Sequence, residues 1–159
     1  MAAQLISTSE GQTMVLTLSN PEHRNALGPE MYAAGVEALN AAETNPDIRS
    51  VILTGEGSVF SAGGNLQRLQ NNRQKPSEFQ AQSIEGLHSW IEAIRTFPKP
   101  VIAAVEGPAA GLRGTLLGLL SQGRHSGGML GFDVVEHEVA GGRVEGNLSR
   151  HIQQTVKSH

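Results

Sequence analysis

The sequence has 159 residues, 38% of them hydrophobic, which suffices for one domain with a buried core. Its formal net charge of -3 provides no basic surface for nucleic acid or anionic lipid, so neither partner is expected. Cysteine is absent, which excludes disulfides and thiolate metal sites. The first residues lack the pattern of a signal peptide and no stretch reaches the roughly 18 apolar residues of a membrane span, so we expect a cytoplasmic protein.

The first half of the chain predicts a βαβ unit. Met14–Leu18 and Ser50–Thr54 are short β-prone runs that predict strands. Between them, Gly28-Pro29-Glu30 predicts a helix start, with proline at the first helical position. Apolar residues then follow at helical spacing: Met31, Ala34, Ala38 and Ala42.

A second crossover follows the second strand. Four apolar residues at three- and four-residue steps predict one face of a helix: Ile84, Leu87, Ile91 and Ile94. The segment Phe97–Pro100 carries two prolines and ends this helix, and Val101–Val105 predicts a third strand. Strands that alternate with helices predict a parallel sheet with right-handed crossovers, in which ligands bind at the carboxyl ends of the strands.

Two glycine-containing turns are predicted at that edge of the sheet. Gly63-Gly64 follows the second strand, and Glu106–Gly111 follows the third. The glycine pair serves either to reverse the chain or to let a ligand approach a backbone N–H, and the residues alone leave both interpretations open. Neither turn carries the pattern of a P-loop or of a dinucleotide-binding loop, so nucleotide binding is a poor explanation.

Three motifs in this order resemble the crotonase family of enoyl-CoA hydratases and isomerases. They are Asn20–Leu27 (NPEHRNAL), Phe60–Leu66 (FSAGGNL) and Pro98–Gly111 (PKPVIAAVEGPAAG). The resemblance covers about residues 10–111 and implies an α/β fold of repeated β-β-α and βαβ units with a parallel sheet, incomplete at the C-terminus. It implies an acyl-CoA thioester as the substrate and no further cofactor.

The resemblance also implies roles for particular residues. In this family the residue after the "AG" pair, here Gly64, supplies one backbone N–H of an oxyanion hole that stabilises an enolate. The turn that begins at Gly111 supplies the second donor, nominally Leu112. Residues matching the segments that contact CoA are Arg24, Ala26, Leu27, Ala62, Asn65 and Leu66. Arg24 has a second interpretation as a solvated surface charge.

The resemblance ends after Gly111, so the chain divides into a crotonase-like portion, 1–111, and a divergent glycine-rich tail, 112–159. A changed reading frame and a genuine divergent or disordered tail both explain the shift in composition. Thr115 stands where hydratases carry the first catalytic glutamate, and no residue aligns with the second. We therefore expect an acyl-CoA-binding member of the family that does not hydrate crotonyl-CoA; the alternative is a truncated, noncatalytic CoA-binding or assembly module.

Metal binding and oligomeric state are the last two properties that the sequence addresses. Glu136-His137-Glu138 offers metal-ligating residue types, but adjacent residues share a face neither on a strand nor on a helix, so no metal site is predicted. Members of the resembled family form trimers or hexamers, but much of that packing uses the C-terminal region for which no match is found, so the oligomeric state stays open.

Overall fold

The computed structural model describes residues 3–65, 70–71, 77–107, 109 and 132–137. Its elements follow one another in this order: β1 (Gln4–Glu10), β2 (Thr13–Ser19), a short 3-10 helix (Pro21–His23), α1 (Pro29–Thr44), β3 (Ser50–Gly55), α2 (Ser77–Thr96), β4 (Val101–Glu106) and β5 (Phe132–His137).

The described strands form one five-stranded sheet in the order β1-β2-β3-β4-β5. β1 and β2 are an antiparallel hairpin, and every later neighbour pairs in parallel. The carboxyl ends of β2, β3 and β4 therefore meet at one edge of the sheet, where ligand sites form in such folds. This arrangement confirms the predicted parallel α/β architecture.

Both helices cover the same face of the sheet. Alternate side chains of the strands pack with the apolar faces of α1 and α2 in one buried cluster, which includes Leu16, Leu18, Val51, Leu53, Met31, Leu39, Trp90 and Ile91. Ile52, Ile102 and Ala104 form a smaller buried cluster on the other face. β3 is thus buried on both faces, which explains its unbroken apolar run.

The ends of the helices match their sequence signals. Pro29 begins α1 directly after Gly28, as predicted. At the other end of α1, Lys99 Nζ donates to the carbonyl oxygens of Ala42 (2.5 Å) and Asn45 (2.8 Å). These carbonyls have no partner within the helix, so the segment that ends α2 also caps α1.

The three predicted strands and two predicted helices are confirmed, and the predicted apolar face of α2 is buried along only part of its length. Ile84 is 55% exposed, whereas Ile91 and Ile94 on the same face are buried. Neighbouring residues of the same helical turns, Gln82 and Glu85, are exposed as well. The periodicity identifies the apolar face of α2 but not the point at which packing against α1 begins.

Two strands were not predicted. β1 is an edge strand whose residues are mostly exposed, so it shows little alternation. β5 lies within residues 112–159, where no strand was assigned, and it pairs in parallel with β4 along its length. Among the described residues, no helix has the length and apolar character needed to cross a membrane.

Two helix glycines give opposite predictions for substitution by alanine. A Cβ at Gly35 of α1 would overlap the indole ring of Trp90, which is fully buried, whereas a Cβ at Gly86 of α2 would lie 3.5 Å from the Tyr32 ring. We expect Gly35→Ala to lower the free energy of unfolding by about 2 kcal/mol or more. Gly86→Ala should raise it by about 0.5–1 kcal/mol, because alanine restricts the unfolded chain. Urea denaturation of both variants checks this pair; equal effects would contradict the described packing of α1 on α2.

Candidate functional site

The turn between β2 and α1 is held in an unusual backbone conformation. Arg24 and Asn25 both lie in the left-handed region, with φ of 51° and 55°. Asparagine tolerates this region better than most residues. The pair directs the chain from the 3-10 helix back towards the carboxyl end of β3.

The side chain of Asn25 joins this turn to the loop after β3. It is almost fully buried. Its Nδ2 donates to the carbonyl oxygens of Glu56 (2.9 Å) and Val59 (2.7 Å), and its Oδ1 accepts from the backbone N–H of Asn20 (3.0 Å). One amide side chain therefore satisfies backbone groups of both loops, which a buried loop requires.

The loop after β3 is bound to the same turn at three further points. The N–H of Ala62 donates to Arg24 O (2.8 Å), and the N–H of Leu27 donates to Gly63 O (2.7 Å). The hydroxyl of Ser61, which is fully buried, donates to Asn25 O (2.7 Å) and accepts from the N–H of Gly63 (3.1 Å). The predicted glycine pair is thus fixed by residues of a different loop.

These contacts determine the direction of the Gly64 N–H. The C=O of Gly63 and the N–H of Gly64 belong to one trans peptide plane, so they point in opposite directions. Because Gly63 O faces the N–H of Leu27, the Gly64 N–H points away from the Leu27 backbone. Gly64 is exposed, and its N–H makes no hydrogen bond with another residue that the structure describes.

The turn after β4 adjoins this loop, as the sequence predicts. Ser61 forms a parallel bridge with Ala109. Gly107 has a φ of 72°, and a Cβ there would overlap the carbonyl oxygen of Ser58, so only glycine allows this close approach. The two glycine turns therefore meet at the carboxyl edge of the sheet.

The predicted site residues differ in what the structure shows of them. Arg24 is exposed, and Ala62 and Asn65 are half-buried beside Gly64. The side chains of Ala26 and Leu27 are buried, and that of Leu27 packs in the main core. The remaining predicted positions, Gly111, Leu112 and Leu66, lie outside the described residues.

Sequence reasoning missed the residues that hold the site together. Asn25 and Ser61 lie inside two of the quoted motifs, but only their neighbours were assigned roles. The available signal was chemical: a small polar residue beside buried apolar ones in a turn commonly bonds to local backbone groups. Which backbone groups it would meet, 31 to 36 residues away, was not visible in the sequence.

The acidic and histidine residues of the tail give no metal centre within the described part of the chain. Glu136 and His137 are consecutive residues of β5, and Glu138 lies outside the described residues. No group of three metal-ligating side chains was found among the residues that the structure describes.

The chain belongs to the enoyl-CoA hydratase/isomerase family, whose model matches residues 8–121. The match includes the three motifs and both glycine turns. It begins near residue 10, where the resemblance begins, and extends past Gly111 to residue 121, beyond the last of the three motifs.

Individual relatives agree with this membership. The chain is 36% identical over 113 residues to 1,2-epoxyphenylacetyl-CoA isomerase of Escherichia coli, covering 70% of this chain and 43% of that protein. It is 36% identical over 116 residues to human enoyl-CoA delta isomerase 2, covering 72% and 29%. The crystal structure of an enoyl-CoA hydratase from Polaromonas sp. JS666 matches with 77% identity and a TM-score of 0.65, covering 65% of this chain and 40% of that one. The chain thus spans less than half the length of each of these relatives.

The Asn25 contacts predict a large cost for an isosteric substitution. In Asn25→Asp the two N–H donors become a carboxylate oxygen that faces the carbonyl oxygens of Glu56 and Val59. We expect the free energy of unfolding to fall by about 2–4 kcal/mol near neutral pH. Acidification should recover part of the loss, because protonation of the introduced carboxylate restores one donor.

Asn40→Asp is the matched control, because Asn40 is exposed on α1 and its substitution should change stability by no more than about 0.5 kcal/mol. Chemical denaturation at two pH values measures both variants. A loss at Asn25→Asp no greater than that at Asn40→Asp would contradict the role given to the Asn25 side chain.

Proposed function

We propose that this chain binds acyl-CoA thioesters and polarises the thioester carbonyl through the backbone N–H of Gly64. The observation that carries the proposal is the fixed peptide plane between Gly63 and Gly64, which presents an N–H at the carboxyl edge of the sheet. Family membership supports the same chemistry, since the relatives are named as enzymes of acyl-CoA thioesters.

The chemistry explains why a backbone donor is suitable there. Hydration of a conjugated thioester and migration of its double bond both place negative charge on the thioester oxygen. A preorganised N–H that needs no reorganisation stabilises this charge by a few kcal/mol. By the resemblance, the second donor is supplied by the turn that begins at Gly111, nominally Leu112; Ala109, two residues before Gly111, is bridged to Ser61.

The proposed binding residues lie on the two hydrogen-bonded loops. Ala62 and Asn65 flank the glycine pair in the loop after β3, with Leu66 following in sequence, and the turn between β2 and α1 contributes Arg24, Ala26 and Leu27. Arg24 is exposed and positively charged, which suits a phosphate of CoA. The proposal requires no metal and no cofactor besides the thioester itself, and it includes the cytoplasmic location that the sequence predicts.

The class of ligand is proposed more broadly than the reaction. The named relatives include a hydratase, a double-bond isomerase and an epoxide isomerase. Each is named for an acyl-CoA, whose thioester carbonyl can take up negative charge. The proposal therefore specifies a CoA thioester but no particular acyl group, and thioesters that isolate carbonyl polarisation test it.

Removal of one N–H tests the proposal. Acetoacetyl-CoA enolises readily, and its enolate carries part of the negative charge on the thioester oxygen, so it probes the oxyanion donors. We expect Gly64→Pro, which lacks the N–H, to bind acetoacetyl-CoA about 100-fold more weakly than the unmodified chain while binding free CoA equally well. Gly64→Ala retains the N–H and should keep the preference for acetoacetyl-CoA over free CoA.

Isothermal titration of the three proteins measures this preference, with circular dichroism to verify that each is folded. Equal preference for acetoacetyl-CoA in folded Gly64→Pro and in the unmodified chain would show that Gly64 is not the donor.

Turnover gives a separate prediction. Water addition requires a carboxylate within hydrogen-bond reach to accept and return protons, in addition to the oxyanion donors. Neither catalytic glutamate of the resembled hydratases was found in this chain by sequence, so we expect no hydration of crotonyl-CoA above a no-enzyme control. Hydration that disappears in Gly64→Pro would instead reveal an unrecognised acid/base within this chain.

A further inference from the structure

Ser61 lies in the loop after β3, three residues before the proposed donor Gly64, and it contacts two neighbouring turns. Its side chain is fully buried, and its hydroxyl donates to the carbonyl oxygen of Asn25 at 2.7 Å. Its backbone bridges Ala109, two residues before Gly111. Ser61 therefore contacts the β2–α1 turn through its side chain and the turn after β4 through its backbone.

Two hydrogen bonds hold the backbone of Gly63, one on each side. The N–H of Gly63 donates to Ser61 Oγ at 3.1 Å, which fixes the peptide plane between Ala62 and Gly63. The C=O of Gly63 accepts from the N–H of Leu27 at 2.7 Å, which fixes the peptide plane between Gly63 and Gly64. Gly63 has a φ of 85°, a region open chiefly to glycine, so these two bonds oppose rotation at a residue that rotates easily.

We infer that Ser61 is a positioning residue for carbonyl polarisation: its hydroxyl fixes Gly63 and thereby aims the N–H of Gly64 at the thioester oxygen. The inference rests on the proposed function and adds a residue whose side chain is fully buried. Loss of the hydroxyl leaves the Gly63 N–H and the Asn25 carbonyl without this partner, so Gly63 is then held only by the bond from the Leu27 N–H to its carbonyl oxygen.

Ser61→Ala tests the inference, with Ser50→Ala as the matched control. Ser50 is also almost fully buried, and its hydroxyl shares a hydrogen bond of 2.9 Å with the hydroxyl of Thr13. It lies at the amino end of β3, opposite the site. Both variants lose one buried serine hydroxyl; Ser61→Ala removes two hydrogen bonds and Ser50→Ala removes one, but only Ser61→Ala releases Gly63.

Two readouts separate positioning from general stability. The first is amide hydrogen exchange in the unliganded chain, with the exchange of Gly63 taken relative to that of Leu53 in β3. We expect this ratio to rise roughly fivefold to tenfold in Ser61→Ala and to stay unchanged in Ser50→Ala.

The second readout is the infrared stretching frequency of the ¹³C-labelled thioester carbonyl of bound butyryl-CoA, which hydrogen bonding lowers. We expect Ser61→Ala to lose part of the lowering and Ser50→Ala to retain all of it.

The outcomes distinguish this inference from the proposed function. If the unmodified chain lowers the carbonyl frequency and Ser61→Ala lowers it equally, the positioning role is overturned while the proposed function stands. If the unmodified chain does not lower it, the proposed function fails and the inference about the thioester fails with it, whatever the Gly63 exchange shows.

Should Ser61→Ala not fold, Ser61→Cys keeps the side-chain volume with a weaker donor. It should give a carbonyl frequency between those of the unbound thioester and of the thioester bound to the unmodified chain. A frequency equal to that of the unmodified chain would overturn the inference.

Discussion

The buried amide of Asn25 is the constraint on which the site depends. A loop at the edge of a parallel sheet exposes backbone groups that no strand satisfies, and here one side chain serves several of them in two loops. Because an amide both donates and accepts, it bridges carbonyl oxygens of one loop and an N–H of the other. The left-handed conformation of Asn25 brings its side chain into this position.

The turn that contains Asn25 also fixes the orientation of the peptide plane between Gly63 and Gly64. It supplies the Leu27 N–H to Gly63 and the Arg24 carbonyl to Ala62. A trans peptide bond then directs the next N–H away from these contacts. The proposed chemistry uses this rigidity, since a donor contributes most to stabilising charge when it is already in place. The main core supports the arrangement, because Leu27 and Phe60 pack in it from the two loops.

The sequence predicted the elements and the meeting of the two turns more fully than the contacts within them. Periodicity and proline placement located α1, α2 and the three central strands, because these signals are local. Ile84 lies on the predicted apolar face of α2 but is exposed, since where two helices begin to touch depends on their relative position. β1 and β5 were not predicted, because each forms by pairing with a neighbouring strand and its own residues show little of the pattern of a strand. Asn25 and Ser61 act on residues far away in sequence, so only the fold reveals their partners.

The central claim is that the Gly64 N–H meets the thioester oxygen, and a nuclear magnetic resonance titration tests it most directly. The ¹⁵N-labelled chain is titrated with butyryl-CoA and, in parallel, with free CoA, which lacks the carbonyl. We predict a downfield shift of the Gly64 amide proton with butyryl-CoA that free CoA does not produce. An amide proton of Gly64 that stays unmoved at saturation, or that moves equally with both ligands, would contradict the claim.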